Sequence, residues 1–261
     1  MPPAVLSIVV PTYNEKDRLP DLVAAVFSEF RSHALDGEIV VVDDNSPDGT
    51  GAVAEELAKT YRLQIVHRAG KLGLGTAVIE GFAAASAPVV GVMDGDLSHP
   101  PDLLPAMLTL LDRAGADMIV GSRYIPGGGT SNWPFVRLVL SRLACSLARP
   151  VTRVVDATSG FFLVKRDAIA GVRIEAGGFK ICLELLVRGR VRVVAEVPYT
   201  FVGRTAGESK MNVAEALGYL RQLKNLWSFA RRHAAPVYRR ITPGELRSAA
   251  PARSQDGAAG L

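Results

Sequence analysis

The sequence predicts a doubly wound α/β fold, built on a mainly parallel sheet. Two observations carry this expectation. Short valine-rich runs at residues 4–10, 38–42 and 63–66, and again from Val89, alternate with helical segments near 17–33, 51–60 and 75–86. In the first of these helices Leu19, Leu22, Val23, Val26, Phe27 and Phe30 recur at helical spacing. Each apolar run also ends in a polar cluster. In an open α/β sheet the carboxyl ends of the strands form the ligand crevice, so these clusters are expected to converge there.

Each cluster has its own chemistry. Pro11-Thr12-Tyr13-Asn14-Glu15 follows the first run, and Asp43-Asp44-Asn45-Ser46-Pro47-Asp48-Gly49-Thr50 follows the second. His67-Arg68-Ala69-Gly70-Lys71-Leu72-Gly73-Leu74-Gly75 follows the third. The fourth run stops at Asp94-Gly95-Asp96-Leu97-Ser98-His99-Pro100-Pro101. Two carboxylates flanking one glycine suit a hard divalent cation that also meets phosphates. A solvated acidic turn has the same composition, so the triplet alone does not decide. A dinucleotide fold needs Gly-x-Gly-x-x-Gly after the first strand, and Pro11–Glu15 stands there instead.

Further along, a helix is expected near 102–114 and a strand at 117–121 that ends in Ser122-Arg123-Tyr124. A Gly-rich stretch at 125–134 reads as a functional loop. A helix at 135–148 carries Val136, Leu140, Leu143 and Leu147 on one face, interrupted by Arg137, Arg142 and Arg149. Strands at 154–167 and 190–201 should flank a helix near 180–188. At 212–233 a basic amphipathic helix has Leu220, Leu223 and Trp227 on one face and Arg221, Lys224 and Arg231 on another. Such a helix reads as membrane-surface binding, and packing on its own domain explains the same pattern. Residues 236–261, rich in Ala, Pro, Gly, Ser and Arg, read as a disordered tail.

The 261 residues, 48% hydrophobic and 21% charged, suit one globular domain. The net charge of +4 is concentrated after Arg204. No recognition motif supports nucleic-acid binding. Cys145 and Cys182 have no metal-ligand spacing and read as packed thiols of a reduced, intracellular setting. No signal peptide or membrane span is apparent.

Taken together, the clusters resemble the inverting nucleotide-sugar glycosyltransferases of GT-A fold, most closely the dolichol-phosphate (polyprenol-phosphate) mannosyltransferases. Besides the four clusters, the resemblance is carried by Gly121-Ser122-Arg123-Tyr124, Thr158-Ser159-Gly160-Phe161, Gly178-Phe179-Lys180-Ile181 and Phe201-Val202-Gly203-Arg204-Thr205-Ala206-Gly207-Glu208-Ser209-Lys210. It covers about residues 5–230. It implies a domain over 1–235, with a donor-binding half at about 1–125 and an acceptor- and membrane-facing part at about 126–235.

The resemblance also implies roles. Pro11, Tyr13, Glu15, Val42 and Asp44 would hold the guanosine of GDP-mannose. Asp94, Gly95 and Asp96 would meet the ribose and diphosphate. Mg²⁺ or Mn²⁺ would sit on Asp96, with Asp94 and Ser98. Arg123, Arg204 and Lys210 would bind the donor diphosphate and the lipid phosphate, with Asp96 and these three as the catalytic set. Arg137 would grip the acceptor phosphate. The implied partners are a polyprenyl phosphate, the cytoplasmic face of a membrane, met peripherally, and a separate membrane protein. Two departures stand out. Gly95 replaces the usual alanine, and Phe162 occupies a place where many relatives have arginine, which passes that grip to Arg137 or Lys165. Other expectations are a UDP-glucose-type donor or a catalytically silent binding subunit. A processive synthase is disfavoured, because Gln-x-x-Arg-Trp is absent.

Overall fold

The computed structural model describes residues 4–172, 180–203 and 213–251. Strands and helices alternate through the first half: β1 (Leu6–Thr12), α1 (Leu19–Ser32), β2 (Gly37–Asp43), α2 (Thr50–Ala58), β3 (Leu63–His67), α3 (Leu74–Ala84) and β4 (Val89–Val92). A 3₁₀ turn at Pro101–Leu103 leads into α4 (Leu104–Arg113) and β5 (Met118–Ser122). There follow β6 (Gly129–Ser131), α5 (Phe135–Leu147), β7 (Phe162–Lys165), α6 (Arg166–Ile169) and α7 (Ile181–Arg188). The last described elements are β8 (Val193–Pro198), β9 (Thr200–Val202), α8 (Val213–Ala230), β10 (Val237–Arg240) and α9 (Pro243–Ala249).

Eight strands form one sheet in the order β10-β8-β5-β7-β4-β1-β2-β3. All neighbours are parallel except β7, which runs antiparallel to both β4 and β5. β6 and β9 pair separately. The period-two alternation of the strands splits the interior into two cores. Leu6, Ile8, Val10, Ile39 and Val41 face the layer holding α1 and α4, whereas Val9, Val40 and Val42 face α3 and α7. Gly81 lets α3 lie close on the sheet, because a Cβ there would stand 2.3 Å from Val9 Cγ1.

Three expectations need correction. The strand expected over 154–167 is only Phe162–Lys165, because the chain before it turns so that Asp156 meets Arg123 and Glu196. The Gly-rich loop contains β6, which pairs in parallel with β9 from Gly129↔Thr200 to Ser131↔Val202. Of the disordered tail expected over 236–261, the described part forms β10 and α9, and residues 252–261 lie outside the described residues. β10 extends the sheet beside β8, and Thr242 with Glu245 forms a reciprocal capping box at the start of α9. Ile241 and Ala249 are buried in the first core.

Candidate active site

The carboxyl ends of β1, β2, β4 and β5 open onto one side, and the loops there are laced together. The Asn14 N–H donates to Ser46 Oγ at 3.0 Å, and the Glu15 N–H donates to Thr50 Oγ1 at 3.0 Å. Asn14 and Asn45 both take left-handed φ values, 61° and 57°, which asparagine tolerates better than most residues. Pro11 pairs with buried Val42 across the two strands. Tyr13 is exposed, and Lys71 Nζ sits 3.9 Å from its ring centroid. Asp44 is buried and ion-paired with Arg68, while its other oxygen accepts the Gly73 N–H at 3.2 Å. Arg68 also donates to Glu80 at 3.1 Å and to Thr76. Sequence reading passed over Arg68, although its position at the end of β3 was the available signal.

At the end of β4 the acid pair is held from several directions. Asp96 is buried, its Oδ1 accepts the Ser98 N–H at 3.0 Å, and Arg18 donates to its carbonyl at 3.4 Å. Asp94 is partly exposed. Its N–H donates to His99 Nδ1 at 3.0 Å, which assigns the imidazole proton to Nε2 in the neutral ring. That Nε2 faces the Asp94 carboxylate at 3.7 Å. His99 is fully packed, stacked on Phe161 with centroids 5.1 Å apart, and burial depresses its pKa against the pull of Asp94 and Asp96. With Nδ1 taken by the Asp94 N–H and the Nε2 proton turned to the Asp94 carboxylate, the ring has no free lone pair and is placed to orient Asp94. An added Cβ at Gly95 would lie 3.3 Å from Thr12 Cγ2 and 3.5 Å from Glu15 Cγ, so the triplet packs tightly against the first loop. Ser98 Oγ is buried with no hydrogen-bond partner among the described residues. Two carboxylates and an orphaned hydroxyl fit a hard divalent cation that completes its shell with water and phosphate.

Arg123 follows β5. Its Nε and Nη2 grip the two oxygens of Asp156 at 2.7 Å each, Nη2 reaches Thr158 Oγ1 at 3.3 Å, and its N–H donates to Asp156 at 2.9 Å. Burial alone would depress the guanidinium pKa, but the hydrogen bonds and charge of Asp156 outweigh it and hold the pKa above its ordinary value. A guanidinium has five N–H donors, and this side-on grip leaves the two on Nη1 for a ligand. Trp133 stands between two cations, 4.0 Å from Arg137 and 5.2 Å from Arg123, with its ring edge-on to Phe201.

Lys180, just before α7, is partly buried, and burial and Arg123 both push its ammonium below the ordinary range against the pull of Asp94. The family resemblance implies no role for Lys180, although it lies within Gly178-Phe179-Lys180-Ile181, and no sequence feature singles out Asp156. Phe162 is fully buried in the second core, so its side chain is closed off from the crevice. Lys165 cannot replace the missing arginine. It pairs with Val89 at the amino end of β4 and contacts Asp112 at 3.8 Å, on the side away from Asp94. Arg204 and Lys210 lie outside the described residues. A separate cavity of about 760 Å³ at the amino ends of β5 and β8 is lined by Asp117, Arg188, Arg190, Arg192 and Phe229, and it shares no residue with this crevice.

A mostly parallel sheet with an acid pair at the end of its fourth strand defines a glycosyltransferase of GT-A fold, and the comparisons agree. The family model for glycosyl transferase family 2 matches residues 7–172. The chain belongs to that family and, within it, stands with the dolichol-phosphate mannosyltransferases. It is 40% identical over 225 residues to a dolichol-phosphate mannosyltransferase of Pyrococcus furiosus, covering 85% of this chain and 63% of that one. It is 38% identical to the dolichol-phosphate mannosyltransferase of Saccharomyces cerevisiae, covering 85% and 87%. The polyprenol monophosphomannose synthase of Mycolicibacterium smegmatis is 40% identical, with 80% and 83% covered. Among solved structures, glucosyl-3-phosphoglycerate synthase from Mycobacterium tuberculosis in complex with UDP superposes with a TM-score of 0.64 at 20% identity, over 87% of this chain and 81% of that one. A mannosyltransferase from Pyrobaculum calidifontis in complex with GDP-Man and Mn²⁺ does so with a TM-score of 0.58 at 17% identity, over 95% and 68%. At these identities the two structures speak to the fold.

Proposed function

We propose that this protein transfers mannose from GDP-mannose to a polyprenyl phosphate, with inversion, giving a polyprenyl β-D-mannosyl phosphate. The observation that carries the reading is the Asp94-Gly95-Asp96 pair at the mouth of the sheet, in a chain 38–40% identical to three proteins named for this chemistry. Pro11, Tyr13, Glu15, Val42 and Asp44 form the nucleoside end of the crevice. Asp44 meets the donor only by sharing or releasing Arg68.

The nucleophile is a phosphate oxygen of the lipid, already anionic at neutral pH, so no side chain has to remove a proton. Attack forms its bond to the anomeric carbon on the face opposite the departing GDP, which leaves with the electron pair. Two anions must meet, and fixed cations offset their repulsion. Arg123 offers the two Nη1 donors, Arg137 lies beside it across Trp133, and Lys180 adds charge near Asp94. Arg204 and Lys210 are assigned the same task. Asp96, with Asp94 and Ser98 Oγ, would hold Mg²⁺ or Mn²⁺, which supplies positive charge to the nucleoside diphosphate when bound.

The reaction runs at a membrane surface, on its cytoplasmic face, with α5 and α8 as the attachment. None of the described helices is long and apolar enough to cross a membrane. The test is incubation with labelled GDP-mannose, polyprenyl phosphate and Mg²⁺ or Mn²⁺, with and without chelator. Label should enter the lipid fraction and stop with chelator, and Asp96→Asn should slow transfer by about 10²–10³. No label under either metal overturns the reading. Competition of GDP against UDP separates a GDP-sugar from a UDP-sugar donor, and nucleotide binding without turnover would leave a binding subunit.

A further inference from the structure

The charged chain behind Arg123 does not end at Asp156. The Asp156 N–H donates to Glu196 Oε1 at 2.9 Å, and the Val155 N–H donates to Glu196 Oε2 at 2.8 Å. Glu196, on β8, and Asp156 are both fully buried. The third donor to Glu196 comes from the C-terminal segment, where Tyr238 Oη on β10 donates to Oε2 at 2.7 Å. Burial and the Glu196 charge push the Tyr238 pKa up to about 12, so its hydroxyl keeps its proton.

A buried carboxylate taking three donors is satisfied only as a carboxylate. An amide of the same shape would turn an NH₂ group toward one of them. Asp156 itself has no freedom, because both oxygens hold Arg123 and Oδ2 also takes the Arg123 N–H. Any shift of the 155–156 backbone therefore moves the guanidinium and its Nη1.

We infer that Glu196 and Tyr238 are positioning residues that set Arg123 for the diphosphate and acceptor phosphate, so the β10 segment takes part in the reaction. The matched family segment ends at residue 172, before either of them. The inference rests on Arg123 meeting a phosphate, as proposed above, and extends that role to a segment whose composition reads as a tail.

The experiment uses the full chain with Glu196→Gln, Tyr238→Phe and Arg123→Lys, singly and with Arg123→Lys paired to each of the others. Arg123→Lys keeps a cation beside Asp156 but loses the fork. Transfer rate, affinity for GDP with Mn²⁺, and melting temperature are measured for each. Glu196→Gln should lower rate and affinity by about 10-fold, and Tyr238→Phe by roughly 3-fold. On the Arg123→Lys background either change should cost less than about 2-fold, because the group it positions is already gone.

Full additive losses on that background would assign Glu196 and Tyr238 to stability alone and overturn the inference. So would wild-type rate and affinity in Glu196→Gln. If Glu196→Gln shows no cooperative melting, Tyr238→Phe decides by the same cycle, since it removes only a hydroxyl. If the wild-type chain transfers no mannose, the proposed reaction fails by itself, and the cycle is decided on nucleotide affinity.

Discussion

At the scale of the residue, the Arg123–Asp156 pair is where stability and the proposed function meet. Its two charges lie inside the protein with a two-point grip, and the exposed fraction of the arginine side chain is 8%. Such a pair contributes little over an apolar substitute, but removing one member strands the other. Asp156→Ala should therefore lower unfolding free energy by about 3–5 kcal/mol, measured by urea denaturation. A loss below about 1 kcal/mol would mean that Arg123 relaxes to solvent when Asp156 is gone. The sequence made Arg123 visible because it ends a predicted strand, as the other clusters do. Its partner was invisible, because the two are 33 positions apart and no local period links them. His99 was equally hard to read: only coordinates reveal that its Nδ1 takes the Asp94 N–H, and a lone histidine in a sequence has no tautomer.

At the scale of the element, the strands and helices of the first half were legible because burial on both faces of a parallel sheet demands long apolar runs, and these are rare elsewhere. Two buried polar groups in those runs could not be read so simply. Glu38, the second residue of the apolar β2, accepts from Ser7 Oγ at 2.6 Å and from the N–H and hydroxyl of Ser86 at 2.6 and 2.9 Å. It thus joins β1, β2 and the turn before β4. Burial alone would raise its pKa, but these bonds and the charge of Arg62 outweigh it and lower the pKa below 4.5. A carboxylate with a lowered folded pKa adds stability that is complete above the unfolded value and is lost as pH falls through the folded one. The wild-type chain should accordingly lose stability steeply below about pH 4.5, and Glu38→Gln should start lower near neutrality and slope less there. Equal slopes in urea titrations across about pH 3–6 would remove Glu38 from the acid response. The C-terminal elements failed to stand out for the opposite reason. Thr242-Pro243-Gly244-Glu245 is a readable capping box, but only four residues of β10 precede it, and composition outweighed so short a signal.

At the scale of the whole molecule, the crevice and an apolar surface adjoin. α5 turns Phe135, Val136, Val139, Leu143 and Leu147 outward, with Phe135 78% exposed, and Cys145 is its one fully buried hydrophobic side chain. α8 lies against it, Tyr219 Oη donating to the Ala144 carbonyl at 2.7 Å, and adds exposed Leu217, Leu220 and Trp227. Sequence periodicity placed Leu223 on that outer face, but it packs on the second core instead, because the inward stripe runs through Tyr219, Gln222, Leu223 and Leu226. Arg142, Arg149, Arg221, Lys224 and Arg231 are exposed among these apolar residues. Exposed apolar side chains interspersed with basic groups are costly in water and suit an anionic bilayer surface. The first turn of α5 also carries Arg137, stacked on Trp133 beside Arg123, so a lipid phosphate leaving the headgroup plane would meet cations at once. Flotation with protein-free vesicles should therefore recover the chain on phosphatidylglycerol-containing bilayers, less on neutral ones, and less again as salt rises. Phe135→Asp combined with Val139→Asp should weaken this recovery by about 10-fold or more while leaving GDP affinity unchanged, since neither side chain faces the nucleoside end. Undiminished flotation of that variant would detach α5 from the membrane role. Failure of the wild-type chain on every protein-free vesicle, with retention on native membranes, would instead assign its attachment to a separate membrane protein seated on the same apolar face.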